Sequence, residues 1–99
     1  MRTSLLISTL AFLAACSSRT APRVNADRPL TADEKHIVEI ARRAVAANDT
    51  WVEKAEFEIP RRDGTGWRVH VWRLPKVWGG DRFVLIDEKG SVTAYLRGK

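Results

Sequence analysis

The chain has 99 residues, of which 44% are hydrophobic and 29% charged, with one cysteine and a formal net charge of +5. This length and composition exclude a multidomain enzyme, a disulfide-stapled miniprotein and a low-complexity disordered chain. A chain of this length can form at most one small domain.

The N-terminal 15 residues have the pattern of a bacterial secretion signal. Arg2 supplies a positive charge, residues 5–13 are almost all apolar, and two alanines precede Cys16. A run of about ten apolar residues is shorter than the roughly 20 that a helix needs to cross a bilayer. We therefore expect residues 1–15 to be a signal peptide that is removed, not a transmembrane helix.

The end of this segment, Leu13-Ala14-Ala15-Cys16, resembles the lipobox of bacterial lipoproteins. The resemblance implies that the Cys16 thiol receives diacylglycerol and that the new amino group is acylated with a fatty acid such as palmitate. Several acyl chains give durable membrane anchoring, at about 0.8 kcal/mol per buried methylene. Ser17 stands where many inner-membrane lipoproteins carry aspartate, which implies, in a Gram-negative host, the outer membrane facing the periplasm. The alternative for Cys16 is an ordinary free thiol.

The segment 16–30 contains two prolines, small polar residues and scattered charge without apolar periodicity. It is predicted to be the lipidated cysteine followed by a flexible tether. Cleavage before Cys16 leaves 84 residues with 16 lysines and arginines against 12 acidic residues, a net charge of +4. This excess either attracts anionic partners or simply keeps a small domain soluble.

Residues 31–99 are predicted to form the folded domain, beginning with an amphipathic helix. Thr31 and Glu34 have the spacing of a capping box, and Asn48 and Asp49 are expected to end the helix. Apolar residues recur between them at spacings of three and four: Ile37, Ile40, Ala41, Ala44 and Val45.

After the helix, apolar and polar residues alternate with a period of two, which predicts strands over residues 55–59, 67–72, 82–86 and 92–97. The expected architecture is α+β, one N-terminal helix packed on a four-stranded antiparallel sheet. The strand residues expected in the core are Phe57, Ile59, Val69, Val71, Val92, Ala94 and Leu96. The sheet side away from the helix, called the open face here, is expected to carry Glu56, Glu58, Arg68, His70, Trp72, Thr93, Tyr95 and Arg97.

The capped helix, the Gly-containing turn and the run from Phe83 to Val92 resemble the PepSY-like and cystatin-like class of small secreted domains. PepSY domains share a strand that ends in aspartate and a turn that ends in Gly-x-Val, here Asp87 and Gly90-Ser91-Val92. The glycine pair after Trp78 is instead similar to a stretch of nuclear-transport-factor-fold immunity proteins. Both resemblances imply a binding domain, and the first implies propeptides, peptidase regulation and envelope lipoproteins.

No group of residues has the spacing of a catalytic or metal site. His36 and His70 stand apart, without the patterns that ligate metals, and the glycines lie between strands, where phosphate loops do not form. We therefore expect no enzymatic activity, no cofactor and no metal. A periplasmic location also argues against a nucleic-acid partner, although aromatic and basic residues alternate.

The leading hypothesis is a lipid-anchored periplasmic binding module, a peptidase regulator or inhibitor, that contacts a protein or peptide. Its candidate partner-binding residues are Arg68, His70, Trp72, Trp78, Tyr95 and Arg97. Trp78 either anchors a partner from its glycine-flanked loop or folds back over the core. Alternatives are a structural lipoprotein that binds lipopolysaccharide or peptidoglycan, an immunity protein against an envelope-acting toxin, and a homodimer with the two sheets face to face.

Overall fold

The computed structural model describes residues 21–98. The predicted signal peptide, the lipobox and Cys16 lie outside these residues, so cleavage and lipidation stay predictions. Between residues 21 and 98, no helix is long and apolar enough to cross a bilayer.

The described chain contains one α-helix and six strands, which confirms the α+β class. In chain order the elements are β1 (Arg23–Asn25), α1 (Ala32–Asn48), a short 3₁₀ turn (Val52–Lys54), β2 (Ala55–Glu58), β3 (Arg61–Asp63), β4 (Gly66–Arg73), β5 (Asp81–Ile86) and β6 (Val92–Arg97). The strands lie in the order β1-β2-β4-β5-β6, with β3 beside β4. β1 is parallel to β2, and the other pairs are antiparallel.

The helix begins at the predicted capping box. The Glu34 backbone N–H donates to the Thr31 hydroxyl, and the Thr31 N–H donates to the Glu34 carboxylate at 2.9 Å. Arg28 donates two further hydrogen bonds to the same carboxylate, at 2.9 and 2.8 Å. The bonds from Arg28 and then from the Thr31 backbone lower the pKa of Glu34 from 4.5 to about 2.

The helix ends at Asn48, as predicted, and Asp49 connects this end to the sheet. The Asp49 N–H donates to the Val45 carbonyl at 2.8 Å. Its carboxylate accepts from Arg82 Nε at 3.1 Å and from the Tyr95 hydroxyl. Burial alone would raise the pKa of Asp49, but the bonds from Tyr95 and Arg82 together outweigh it and lower the pKa.

The core lies between α1 and one face of the sheet. Its buried apolar residues are Ile37, Val38, Ala41, Ala44, Val45, Ala55, Phe57, Val69, Val71, Val84 and Ile86. Half-buried Val24 and Leu30, from the segment before the helix, pack against it. Segment 21–30 therefore forms part of the folded domain.

The predicted strand count and helix position are wrong, because two short strands were not expected. β1 lies inside the segment predicted to be a tether, so the helix is not the first element. β3 lies inside the predicted turn and pairs with β4 across the two residues Gly64 and Thr65. Gly64 has a φ of +63°, which the first position of a type II′ hairpin turn requires.

The predicted faces of β6 are also wrong beyond Val92, and Val92 itself, predicted to be in the core, is 42% exposed. Tyr95 pairs with Val84, and Arg97 pairs with Arg82, so both lie on the helix side of the sheet. Ala94 and Leu96, predicted to be in the core, share the open face with the cross-strand partners Leu85 and Phe83. The cause is an irregular register between Leu85 and Ile86, because one extra residue in a strand inverts every side chain that follows. Thr93 is exposed at this irregularity.

Candidate functional site

The candidate site is the open face, and β4 forms its centre. Val69 and Val71 point into the core, so the alternation of a strand places Arg68, His70 and Trp72 on the opposite side. These three predicted partner-binding residues lie together. The other predicted residues do not join them, since Tyr95 and Arg97 lie on the helix side and Trp78 lies in the loop between β4 and β5.

His70 lies between two carboxylates that come from the strands on either side. Its Nε2 atom is 2.6 Å from Asp81 Oδ2 at the start of β5, and its Nδ1 atom is 3.1 Å from Glu58 Oε2 at the end of β2. Asp81 is buried, and a Cβ atom on Gly98 would overlap its carboxylate. The absence of a side chain at position 98 therefore leaves room for the Asp81–His70 contact.

This arrangement decides what His70 can do chemically. Nε2 is within hydrogen-bonding distance of Asp81, and Nδ1 lies at ion-pair distance from Glu58. A general base or a metal ligand needs a ring nitrogen with a free lone pair directed at the substrate or ion. Since both nitrogens of His70 face carboxylates, the residue is positioned to organise the surface.

The ring of His70 is also part of an aromatic platform, formed by His70, Trp72 and Phe83. His70 stacks on Phe83 at 4.2 Å between ring centroids, and its centroid lies 4.6 Å from that of Trp72. The Trp72 indole N–H donates to Glu58 at 2.6 Å. Lys76 Nζ lies 5.2 Å from the centroid of the Trp72 ring. These contacts fix the platform before any partner arrives, which lowers the entropy cost of binding.

A groove of about 320 Å³ opens beside the platform. Its lining residues are Glu58, Ile59, Arg61, Arg68, His70 and Phe83. Ile59, predicted to be in the core, is half-buried here because β2 stops at Glu58 and the chain continues through Pro60 into β3.

Two arginines stand directly opposite each other at this groove. Arg61 on β3 is the cross-strand partner of Arg68 on β4, and both are exposed. Like charges in this position are unfavourable unless an anion lies between or beside them. Between residues 21 and 98, neither guanidinium has an acidic partner within salt-bridge distance. Arg68 does lie 6.0 Å from the centroid of the Phe83 ring.

Trp78 occupies the tip of the loop between β4 and β5. The Gly80 N–H donates to the Val77 carbonyl at 3.0 Å, and Gly79 has the positive φ of +78° that the third residue of a type II turn requires. Trp78 is 94% exposed and Val77 is 51% exposed. Of the two placements considered for Trp78, the structure therefore shows the exposed one.

Sequence reasoning missed Arg61, Asp81 and Phe83 as site residues. Arg61 follows the predicted strand 55–59 and Asp81 precedes the predicted strand 82–86, so alternation assigns neither to a face. Phe83 begins a run of four apolar residues, 83–86, in which no alternation distinguishes the two faces. The alternation of residues 55–59 places Glu58 on the open face. The contact between Glu58 and His70, however, depends on how the strands pair.

Family models, curated proteins and solved structures were compared with the chain, and none of them matches. Within residues 21–98, no group of three or more histidine, cysteine, aspartate or glutamate side chains could hold a metal ion. A function therefore has to be argued from the geometry of the open face.

Proposed function

We propose that this chain is a lipid-anchored binding module of the bacterial envelope. Its open face binds an extended segment of a partner protein that presents a carboxylate to Arg61 and Arg68. The observation that carries this proposal is the pair of opposed, exposed arginines in a groove next to a rigid aromatic platform.

Charge supports an anionic ligand in the groove. Two guanidinium groups can each donate two parallel hydrogen bonds to a carboxylate, and their mutual repulsion falls when an anion binds. The carboxylate of Glu58 also lines the groove, but it already accepts from Trp72 and contacts His70. It therefore competes only weakly for the arginines.

Size and apolar surface support a peptide segment as the bearer of this carboxylate. A groove of about 320 Å³ has room for one or two side chains of an extended segment. Ile59 and Phe83 supply apolar contacts beside the arginines. An acidic residue next to an apolar one, or an apolar C-terminal residue with its terminal carboxylate, fits this combination.

The cellular location and the assignment to a fold class are part of the same proposal. A signal peptide over residues 1–15 and acylation of Cys16 would place the domain on the outer membrane, facing the periplasm. Assignment to the PepSY-like and cystatin-like class is supported by the capped helix packed on a mostly antiparallel sheet and by the turn from Asp87 to Gly90. That class would make a peptidase, or a segment of one, a fitting partner.

A second candidate function is electrostatic binding of lipopolysaccharide or peptidoglycan, which the net charge of +4 left after cleavage favours. Ionic strength distinguishes the two. Diffuse attraction to a polyanion falls steeply with salt, while a groove that desolvates one carboxylate against arginine and aromatic rings is less sensitive. A third candidate, an immunity protein, would bind a single cognate toxin.

The test is capture of partners from a solubilised envelope by the full chain carrying a C-terminal tag, at low and at moderate salt. The variant Arg61→Ala/Arg68→Ala should retain at least about tenfold less of the bound protein, because the loss of even one hydrogen bond to a charged group, worth about 1.5–3 kcal/mol, lowers affinity by about that factor or more. The control Lys35→Ala/Arg43→Ala removes the same charge from exposed positions of α1.

Equal losses in the two double variants would show that charge alone drives capture. That result would favour the polyanion candidate, as would the retention of salt-labile glycolipid or wall fragments instead of a protein. Unchanged capture by the Arg61→Ala/Arg68→Ala variant would contradict the groove as the binding site.

A further inference from the structure

The N-terminal entry of the domain and the Trp78 loop lie at the same end of the sheet. Arg23, the first residue of β1, pairs with Glu56, which pairs with Trp72 on β4. Trp72 pairs in turn with Asp81, and the loop from β4 to β5 connects these two strand ends. Because adjacent strands are about 4.8 Å apart, β1 lies only about 10 Å from β4 across the sheet.

The connection from Cys16 to this end of the sheet is short. The structure incorporates Arg23 into a strand, so only six residues, or seven Cα–Cα steps, lie between Cys16 and Arg23. Seven steps span at most about 25 Å in any conformation. A lipid on Cys16 would therefore hold this end of the sheet close to the bilayer surface, a step that rests on the anchor in the proposed function.

The same end carries the chemistry of a membrane interface. Trp78 and Val77 are exposed at the tip of the loop. Exposed basic residues surround it at the adjoining strand ends: Arg23, Lys54, Arg73 and Arg97. Between residues 21 and 98, these four side chains have no acidic partner within salt-bridge distance.

Three of the acidic groups at this end are already engaged. Asp49 pairs with Arg82, Asp81 contacts His70, and Glu56 lies 3.3 Å from Lys76. Glu53 is exposed on the neighbouring 3₁₀ turn. The surface around Trp78 is therefore basic with an apolar tip.

We propose that this end of the sheet docks on the bilayer, with Val77 and Trp78 at headgroup level and the basic residues on anionic phospholipid. Tryptophan prefers the boundary between headgroups and acyl chains, because its ring is apolar and its N–H is polar. Basic residues near an anionic surface add electrostatic attraction. In this arrangement Trp78 contacts the membrane, and the open face stays free to bind its partner.

The experiment uses the full chain expressed in a bacterium, purified from membranes and reconstituted in vesicles of phosphatidylethanolamine and phosphatidylglycerol with brominated acyl chains. Bromine quenches tryptophan fluorescence only near contact. The chain has four tryptophans. The quenching that is lost when one of them is replaced therefore measures the contribution of that tryptophan. We expect Trp78→Phe to lose most of the bromine-dependent quenching, and the matched control Trp67→Phe, at the opposite end of β4, to keep it.

Vesicles of brominated phosphatidylcholine should give weaker quenching than the anionic vesicles, because they have no net negative charge to attract the basic residues. Equal quenching of the wild type and Trp78→Phe would overturn the docking. So would association of the wild type, but not of Trp78→Phe, into dimers in detergent, since a second copy would then cover the loop.

The mass of the N-terminal peptide separates this inference from the proposed function. An acylated Cys16 with no quenching due to Trp78 would overturn the docking and leave the anchor standing. An unmodified Cys16 would overturn the anchor, and with it the reason for this end of the sheet to lie at the membrane.

Discussion

At the scale of single residues, His70 shows how a buried acidic side chain, Asp81, can organise the surface of a sheet. Asp81 has lost most of its contact with water, and a carboxylate in that position is costly unless it is paired. His70 supplies the partner and also contacts Glu58, which in turn holds Trp72. The aromatic platform therefore depends on one imidazole.

This dependence predicts a measurable coupling between His70 and Asp81. In a double-mutant cycle with His70→Ala and Asp81→Ala, the unfolding free energies in urea should show a coupling of about 0.5–3 kcal/mol. A control cycle pairs His70→Ala with Glu88→Ala, at the opposite end of the sheet, and should show additive effects. A coupling near zero for the first pair would mean that the short contact contributes nothing to stability.

At the scale of elements, both ends of α1 are held by carboxylates whose pKa values lie below their usual range. Arg28 and the Thr31 backbone bind Glu34 at the start, and Tyr95 and Arg82 bind Asp49 at the end. A group whose pKa is lower in the folded chain stabilises the fold above its ordinary pKa and loses that contribution as the pH falls. The helix should therefore be sensitive to acid at both ends.

For Glu34 the pH range of this loss follows from its pKa, which falls from 4.5 to about 2 on folding. The unfolding free energy of the wild type should decline as the pH falls from about 4.5 to about 2, and Glu34→Gln should show a shallower decline. Glutamine can still complete the capping box, so the helix keeps its start.

The control for this prediction is Asp33→Asn, at an exposed position one residue earlier. Urea unfolding at several pH values gives the free energies. Parallel curves for the wild type and Glu34→Gln would contradict the role assigned to Glu34.

At the scale of the whole molecule, β1 closes one edge of the sheet and joins the N-terminal segment to the core. Val24 is half-buried against the core, while its neighbours Arg23 and Asn25 are exposed. Three residues form a marginal strand alone, so β1 depends on β2 and on the packing of Val24. The same packing shortens the connection to Cys16 that the membrane docking requires.

Val24→Ala should therefore lower the unfolding free energy by about 1 kcal/mol, because it removes partly buried methyl groups at about 0.8 kcal/mol each. The matched control is Val77→Ala at the 51% exposed position in the β4–β5 loop. It should change stability by less than about 0.5 kcal/mol. Thermal or urea unfolding measures both, and equal effects would show that β1 does not pack on the core.

The parts of the fold that depend on local patterns can be predicted from neighbouring residues. The capping box at Thr31 and Glu34, the end of the helix at Asn48 and the alternation along β4 are properties of neighbouring residues, and the structure confirms them. The alternation of β4 also placed Arg68, His70 and Trp72 on one face.

Features that depend on pairing between distant residues arise only when the chain folds. β1 and β3 are too short to show a period, and they form because β2 and β4 supply partners. The register irregularity opposite Leu85 moved Tyr95 to the helix side, which no pattern within β6 indicates. Glu58, His70 and Asp81 meet because three strands lie side by side, and that adjacency is a property of the sheet as a whole.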